Sequence, residues 1–112
     1  ISYIMDLLEP SGGITKTKMF GGYAIRKFGL TIALFIDGEA YFKVDESNID
    51  DYKALNSNPF TYEKKGKVIT VSNWSLPIEI MEDDIRLRDF VEKSYQVAIK
   101  SKEKKSKIKK GY

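Results

Sequence analysis

The chain has 112 residues, enough for one domain with one core, and its 42% hydrophobic and 31% charged residues are the balance of a globular protein. It contains no cysteine and no histidine, which excludes disulfides, Cys/His zinc sites and any nucleophile–histidine pair. The formal charge of +3 is unevenly spread: residues 100–112 hold seven Lys and one Glu, whereas the preceding residues hold twelve bases and fifteen acids.

Ile1, Ile4, Met5 and Leu8 fall on one helical face, widened by Leu7, and Pro10-Ser11-Gly12-Gly13 ends that helix. Ile1 is not an initiator Met, so residues upstream are expected. Thr15 to Arg26 reads as a first strand. Within it Gly21-Gly22 suggests a bulge, either a kink that lets a neighbouring strand or helix pass close or a place where a ligand or partner meets the backbone. No helix follows to make the pair a phosphate loop.

Phe28-Gly29 turns the chain into a second strand. Its even residues Leu30, Ile32, Leu34 and Ile36 form an aliphatic face expected to meet the core. Asp37-Gly38 suits a type I′ hairpin turn, because Gly and Asp tolerate the positive φ that both central positions require. A third strand, Glu39 to Asp45, alternates Phe42 and Val44 with Tyr41, Lys43 and Asp45.

Ser47 or Asn48 is placed to cap a short helix carrying Ile49, Tyr52 and Leu55, and Asp50 and Asp51 suit the positive end of its dipole. Asn56-Ser57-Asn58-Pro59 ends it. Phe60-Thr61-Tyr62-Glu63 starts a fourth strand, Lys64-Lys65-Gly66-Lys67 makes a turn, and Lys67 to Trp74 forms a fifth. The last helix starts near Glu82 or Asp83 and buries Leu87, Phe90, Val91, Ser94, Tyr95 and Ala98. The expected fold is α+β, in the order α-β-β-β-α-β-β-α. It is a five-stranded antiparallel sheet with helices on one face, over residues 1–99. Residues 100–112 are a Lys-rich tail of frayed helix or disorder.

Few residues suggest chemistry. Lys43 and Asp45 share a strand face and would do acid–base work only if buried; in the open they are a surface pair worth about 0–1 kcal/mol. The acidic clusters Asp50-Asp51 and Glu82-Asp83-Asp84 lack the spacing of a calcium loop. Trp74 either stacks on a base or anchors a partner, or closes the core where the last helix crosses the sheet. Tyr62, Lys64, Lys65 and Lys67 on one hairpin, and Lys102, Lys104 and Lys105 in the tail, are candidate phosphate contacts. Gly21, Gly22, Lys43 and Asp45 are candidate contacts for a partner. The expectation is therefore no catalytic residue, no cofactor, no metal and no membrane segment.

Met19-Phe20-Gly21-Gly22-Tyr23, Gly29-Leu30, Tyr41-Phe42-Lys43-Val44-Asp45, Pro59-Phe60-Thr61-Tyr62, Lys65-Gly66 and Ser72-Asn73-Trp74-Ser75-Leu76-Pro77 occur in an order and spacing that resembles the N-terminal domain of the TfoX/Sxy family. Asn73 stands where a Tyr is expected. The resemblance implies a cytoplasmic, non-enzymatic regulator of DNA-transformation competence, acting through protein contacts with a transcription factor. It supplies no catalytic residues. Family members carry a second, helical domain after this one, and here the Lys-rich end takes that place. The rival expectation is a low-specificity nucleic-acid binder using the tail and the Lys64–Lys67 hairpin, with a small ligand-binding protein or enzyme behind it. A homodimer through a sheet edge or the last helix is also open.

Overall fold

A computed structural model describes residues 1–19 and 21–110, with side chains given through Lys105 and not for 106–110. Phe20, Gly111 and Tyr112 lie outside the described residues, as does the side chain of Ile108. The elements are α1 (Ser2–Leu8), β1 (Ile14–Met19), β2 (Gly22–Lys27), β3 (Leu30–Ile36), β4 (Glu39–Lys43), α2 (Ile49–Lys53), β5 (Pro59–Lys64), β6 (Lys67–Ser75), α3 (Ile78–Met81) and α4 (Asp84–Lys110). All strand pairs are antiparallel in one sheet of order β1-β2-β3-β4-β6-β5. α2 and the β5–β6 hairpin are thus inserted so that β6, not β5, lies against β4.

The sheet has six strands, not five. The expected first strand is two, because Met19 pairs with Gly22 and the chain reverses between them. Gly21-Gly22 is therefore part of a hairpin and not a bulge within one strand. The close-approach reading of Gly22 is right in kind: a Cβ built there would run into the main-chain oxygen of Phe35 on β3. Only a residue without a side chain lets β2 and β3 pair at this point.

The bulge lies one strand later. Ile25 pairs with Ala33 and Arg26 with Thr31, which leaves Ile32 unpaired in β3. An extra residue shifts the alternation by one. Leu30 and Ile32 face the core before it, and Ala33 and Phe35 face the core after it. The expected all-even core face is therefore wrong for Leu34 and Ile36, which lie on the other side. The Asp37-Gly38 turn is as expected, with φ of 50° and 80° and Ile36 opposite Glu39. Ala40 and Phe42 of the next strand, and Val44 just after it, are buried.

All four helices feed one buried cluster with this face of the sheet: Ile4 and Leu8 from α1, Tyr52 from α2, Ile80 from α3, and Leu87, Phe90 and Val91 from α4. Each fully buried side chain of this kind contributes roughly 1.5–3 kcal/mol. α3 is a one-turn helix that is not among the elements expected from the sequence. Pro77 holds an extended φ/ψ immediately before it, where its missing N–H is harmless. The Asp83 carboxylate accepts the Arg86 amide at 3.1 Å and so starts α4. From there α4 runs unbroken to Lys110, a length of about 40 Å at 1.5 Å per residue.

Candidate functional site

The most built part of the surface lies where β4 ends beside α4. The Lys43 carbonyl accepts hydrogen bonds from Ser94 Oγ at 2.8 Å and from Asn48 Nδ2 at 3.2 Å. Ser94 and Asn48 are both buried, so each polar group finds its partner inside the protein. Asn48 Oδ1 in turn accepts the Asp45 amide at 2.8 Å. Asn48 therefore braces the loop before α2 and makes no side-chain cap on α2, contrary to the capping expectation. Lys93 bridges Asp51 at 2.9 Å and Asp89 at 3.2 Å, fastening α2 to α4. Tyr52 and Phe90 pack behind them with ring centroids 5.0 Å apart.

This frame shapes an open cleft of about 370 Å³ whose lining includes Lys43, Asp45, Glu46, Lys100, Ser101 and Lys104. Of the candidates read from sequence, Lys43, Asp45 and Lys104 are thus brought together, and Lys105 lies close enough to act on Lys43. Burial, then the charge of Lys105, lowers the Lys43 ammonium below the ordinary lysine range. Among the described residues Lys43 has no ion-pair partner, Asp45 included. Burial pushes the Asp45 carboxyl up, but the hydroxyl and amide of Ser47 and the charge of Lys100 together carry it below the usual carboxylate value. Asp45 is committed to its own turn, which argues against Lys43 and Asp45 as an acid–base couple.

A second cleft, of about 610 Å³, opens at the opposite end of β4. The Glu39 carboxylate there accepts the Tyr41 hydroxyl at 2.8 Å and the Ser75 hydroxyl at 2.6 Å. The Tyr41 ring lies 4.9 Å from that of Phe60. Burial, then the hydrogen bond and charge of Glu39, push the Tyr41 phenol up to about 12. Leu55, Pro59, Ile78 and Met81 supply an apolar rim, and Ile78 is 65% exposed. The sequence reading missed this cluster. Its one signal was the two-residue spacing of Glu39 and Tyr41 after a tight turn; Ser75 is 36 residues away and no motif joins it to them.

The remaining candidates stand apart. Gly21 and Gly22 serve the β1–β2 hairpin and line no cleft described above. Tyr62, Lys64, Lys65 and Lys67 are exposed on the β5–β6 hairpin, where Lys64 pairs with Lys67. Tyr62 stacks on Phe60 at 6.2 Å. Lys102 is exposed on α4 but does not line the cleft. Trp74 pairs with Phe42 and Pro59, packs half-buried against the core and borders a groove with Ile49 of α2. The sequence reading also overlooked Lys27, only 5% exposed, whose Nζ donates to the carbonyls of Ser11 and Gly12 and lies 5.1 Å and 5.6 Å from the rings of Phe28 and Tyr95.

No described helix is long and apolar enough to cross a membrane. Comparison with curated proteins gives no match. A family model, that of the TfoX N-terminal domain, matches residues 6–98. The match runs from α1 to the last buried turn of α4 and takes in both clefts except Lys100, Ser101 and Lys104. On that match the chain belongs to the TfoX N-terminal domain family.

Proposed function

We propose that this domain is a regulatory module of the competence type, acting in the cytoplasm by contact with a transcription factor and not by catalysis. The observation that carries the reading is the family match over residues 6–98. The cleft around Glu39 supports contact as the mode of action. Its polar centre is fixed in advance by Tyr41 and Ser75, and its apolar rim ends in the exposed Ile78. A fixed polar group within an apolar rim is how protein interfaces combine orientation with burial. Asp37, Glu39 and Glu79 give this cleft acidic character, so the matching surface of the partner is basic and apolar.

The test is affinity capture from the native host with the wild-type chain and Ile78→Asp as paired baits. Recovery of a transcription factor with the wild type, and its loss with Ile78→Asp, supports the proposal. Recovery of a metabolic complex, or an activity abolished by Lys43→Gln, overturns it.

A further inference from the structure

We propose that the cleft between the end of β4 and the late turns of α4 seats the phosphate backbone of a nucleic acid, with Lys43, Lys100 and Lys104 as its cations.

α4 buries Leu87, Phe90, Val91, Ser94, Val97 and Ala98 against the sheet. The same stripe then continues as Ser101 and Lys104, one turn and two turns after Val97, with Lys100 beside them. Lysines placed only for solubility belong on the outer face of such a helix. Here the inward stripe itself turns basic, at the point where the sheet runs out. Lys43 comes to the same place from β4, held by the Ser94 and Asn48 bonds to its carbonyl. Its ammonium is half-buried beside like charges and unpaired among the described residues, an arrangement that an anion would relieve.

The chemistry points to phosphate in a linear polymer. Lys100 and Lys104 are one turn apart, about 6 Å along the axis, and Lys105 follows on the same helix. The cleft thus holds cations spaced along one helix with Lys43 facing them from β4, suited to a chain of regularly spaced charges. All of these bases are Lys and none is Arg, so they act as point charges that position a backbone without reading bases. Ser101 adds a hydroxyl donor between them. Asp45 and Glu46 also line the cleft; they oppose an anion and confine it to the side of Lys100 and Lys104. The hairpin lysines Lys64, Lys65 and Lys67 have no part in this site.

The experiment is fluorescence anisotropy of a labelled duplex of arbitrary sequence with the full chain, across a salt series. Three lysine–phosphate contacts predict a loss of roughly forty-fold in affinity between about 50 and 200 mM salt. Lys43→Gln lowers the log–log salt slope by about one, and Lys100→Gln with Lys104→Gln by about two more. The hairpin triple variant Lys64→Gln, Lys65→Gln, Lys67→Gln binds as wild type. Circular dichroism confirms that each variant is folded; should Lys43→Gln not fold, the Lys100 and Lys104 pair, both exposed, gives the same reading. No binding at about 50 mM salt, an unchanged slope in the cleft variants, or loss of binding in the hairpin variant overturns the proposal. Displacement of the duplex by polyglutamate as effectively as by unlabelled duplex also overturns it, in favour of an acidic protein partner.

Discussion

The Ser94 hydroxyl donates to the Lys43 main-chain carbonyl across 2.8 Å and ties α4 to the last residue of β4 inside the protein. Asn48 Nδ2 reaches the same carbonyl, and Asn48 Oδ1 also accepts the Asp45 amide. One small polar knot therefore fixes the strand end, the loop after it and the long helix. The direction of the Lys43 side chain follows from that knot.

Ser94→Ala removes one of two donors to a buried carbonyl and is expected to destabilise the fold by about 1–2 kcal/mol. Asn48→Ala removes two bonds and opens a cavity, so it should cost more, about 2–3 kcal/mol. Urea unfolding checks both, read as a lower midpoint at unchanged slope. Equal stability of Ser94→Ala and wild type would show that the knot holds nothing.

Gly22 and Gly21 differ sharply although adjacent. Gly22→Ala drives a methyl into the Phe35 carbonyl and should destabilise by about 3 kcal/mol or separate β2 from β3. At Gly21 there is open space but φ is +75°, so Gly21→Ala should cost only about 1 kcal/mol. Thermal unfolding of the two variants side by side tests the order.

The order matters because the glycine pair is where sequence and structure part. Composition, the Asp37-Gly38 turn, the alternation of Phe42 and Val44 with polar neighbours, and the stripe of α4 were all legible, since each is a local pattern with one physical reading. Two glycines in a run of strand residues were not, because a bulge and a hairpin have the same composition. The bulge at Ile32 was hidden for a related reason: an uninterrupted aliphatic run shows no sign of where its face changes. The cluster of Glu39, Tyr41 and Ser75 needs the β4–β6 pairing, which no local pattern encodes. Lys27 could have been found, since it stands two residues after the buried Ile25 on the same strand. Reading Thr15–Arg26 as one strand ended that strand just before it.

Lys27→Met should destabilise by about 2 kcal/mol, because the carbonyls of Ser11 and Gly12 lose a charged donor. The methionine fills similar volume, so the loss reports the hydrogen bonds more than the packing. Lys27→Arg keeps the charge but not the fit, and should fall between the two. Urea midpoints for the three proteins give the ranking.

Alkaline pH should weaken the fold through Tyr41. Its phenol is raised from 10.0 to about 12 in the folded chain, so between these values the unfolded chain gives up a proton that the folded chain retains. Stability is then fully present below pH 10 and declines as pH rises toward 12. The buried Tyr52 is raised as well and adds a decline of the same sign. Tyr41→Phe should flatten the decline of the unfolding temperature in this window without abolishing it. A variant that tracks the wild type through the whole range would remove Tyr41 from the explanation.

On the proposed function, this domain regulates by contact and the Glu39 cleft makes the contact. The most direct measurement is the transcript level of the DNA-uptake genes in the native host carrying Ile78→Asp, with protein abundance held equal by immunoblot. The account predicts that these transcripts fall to the level of a strain lacking the protein. Transcripts at the wild-type level with the rim residue changed would contradict it.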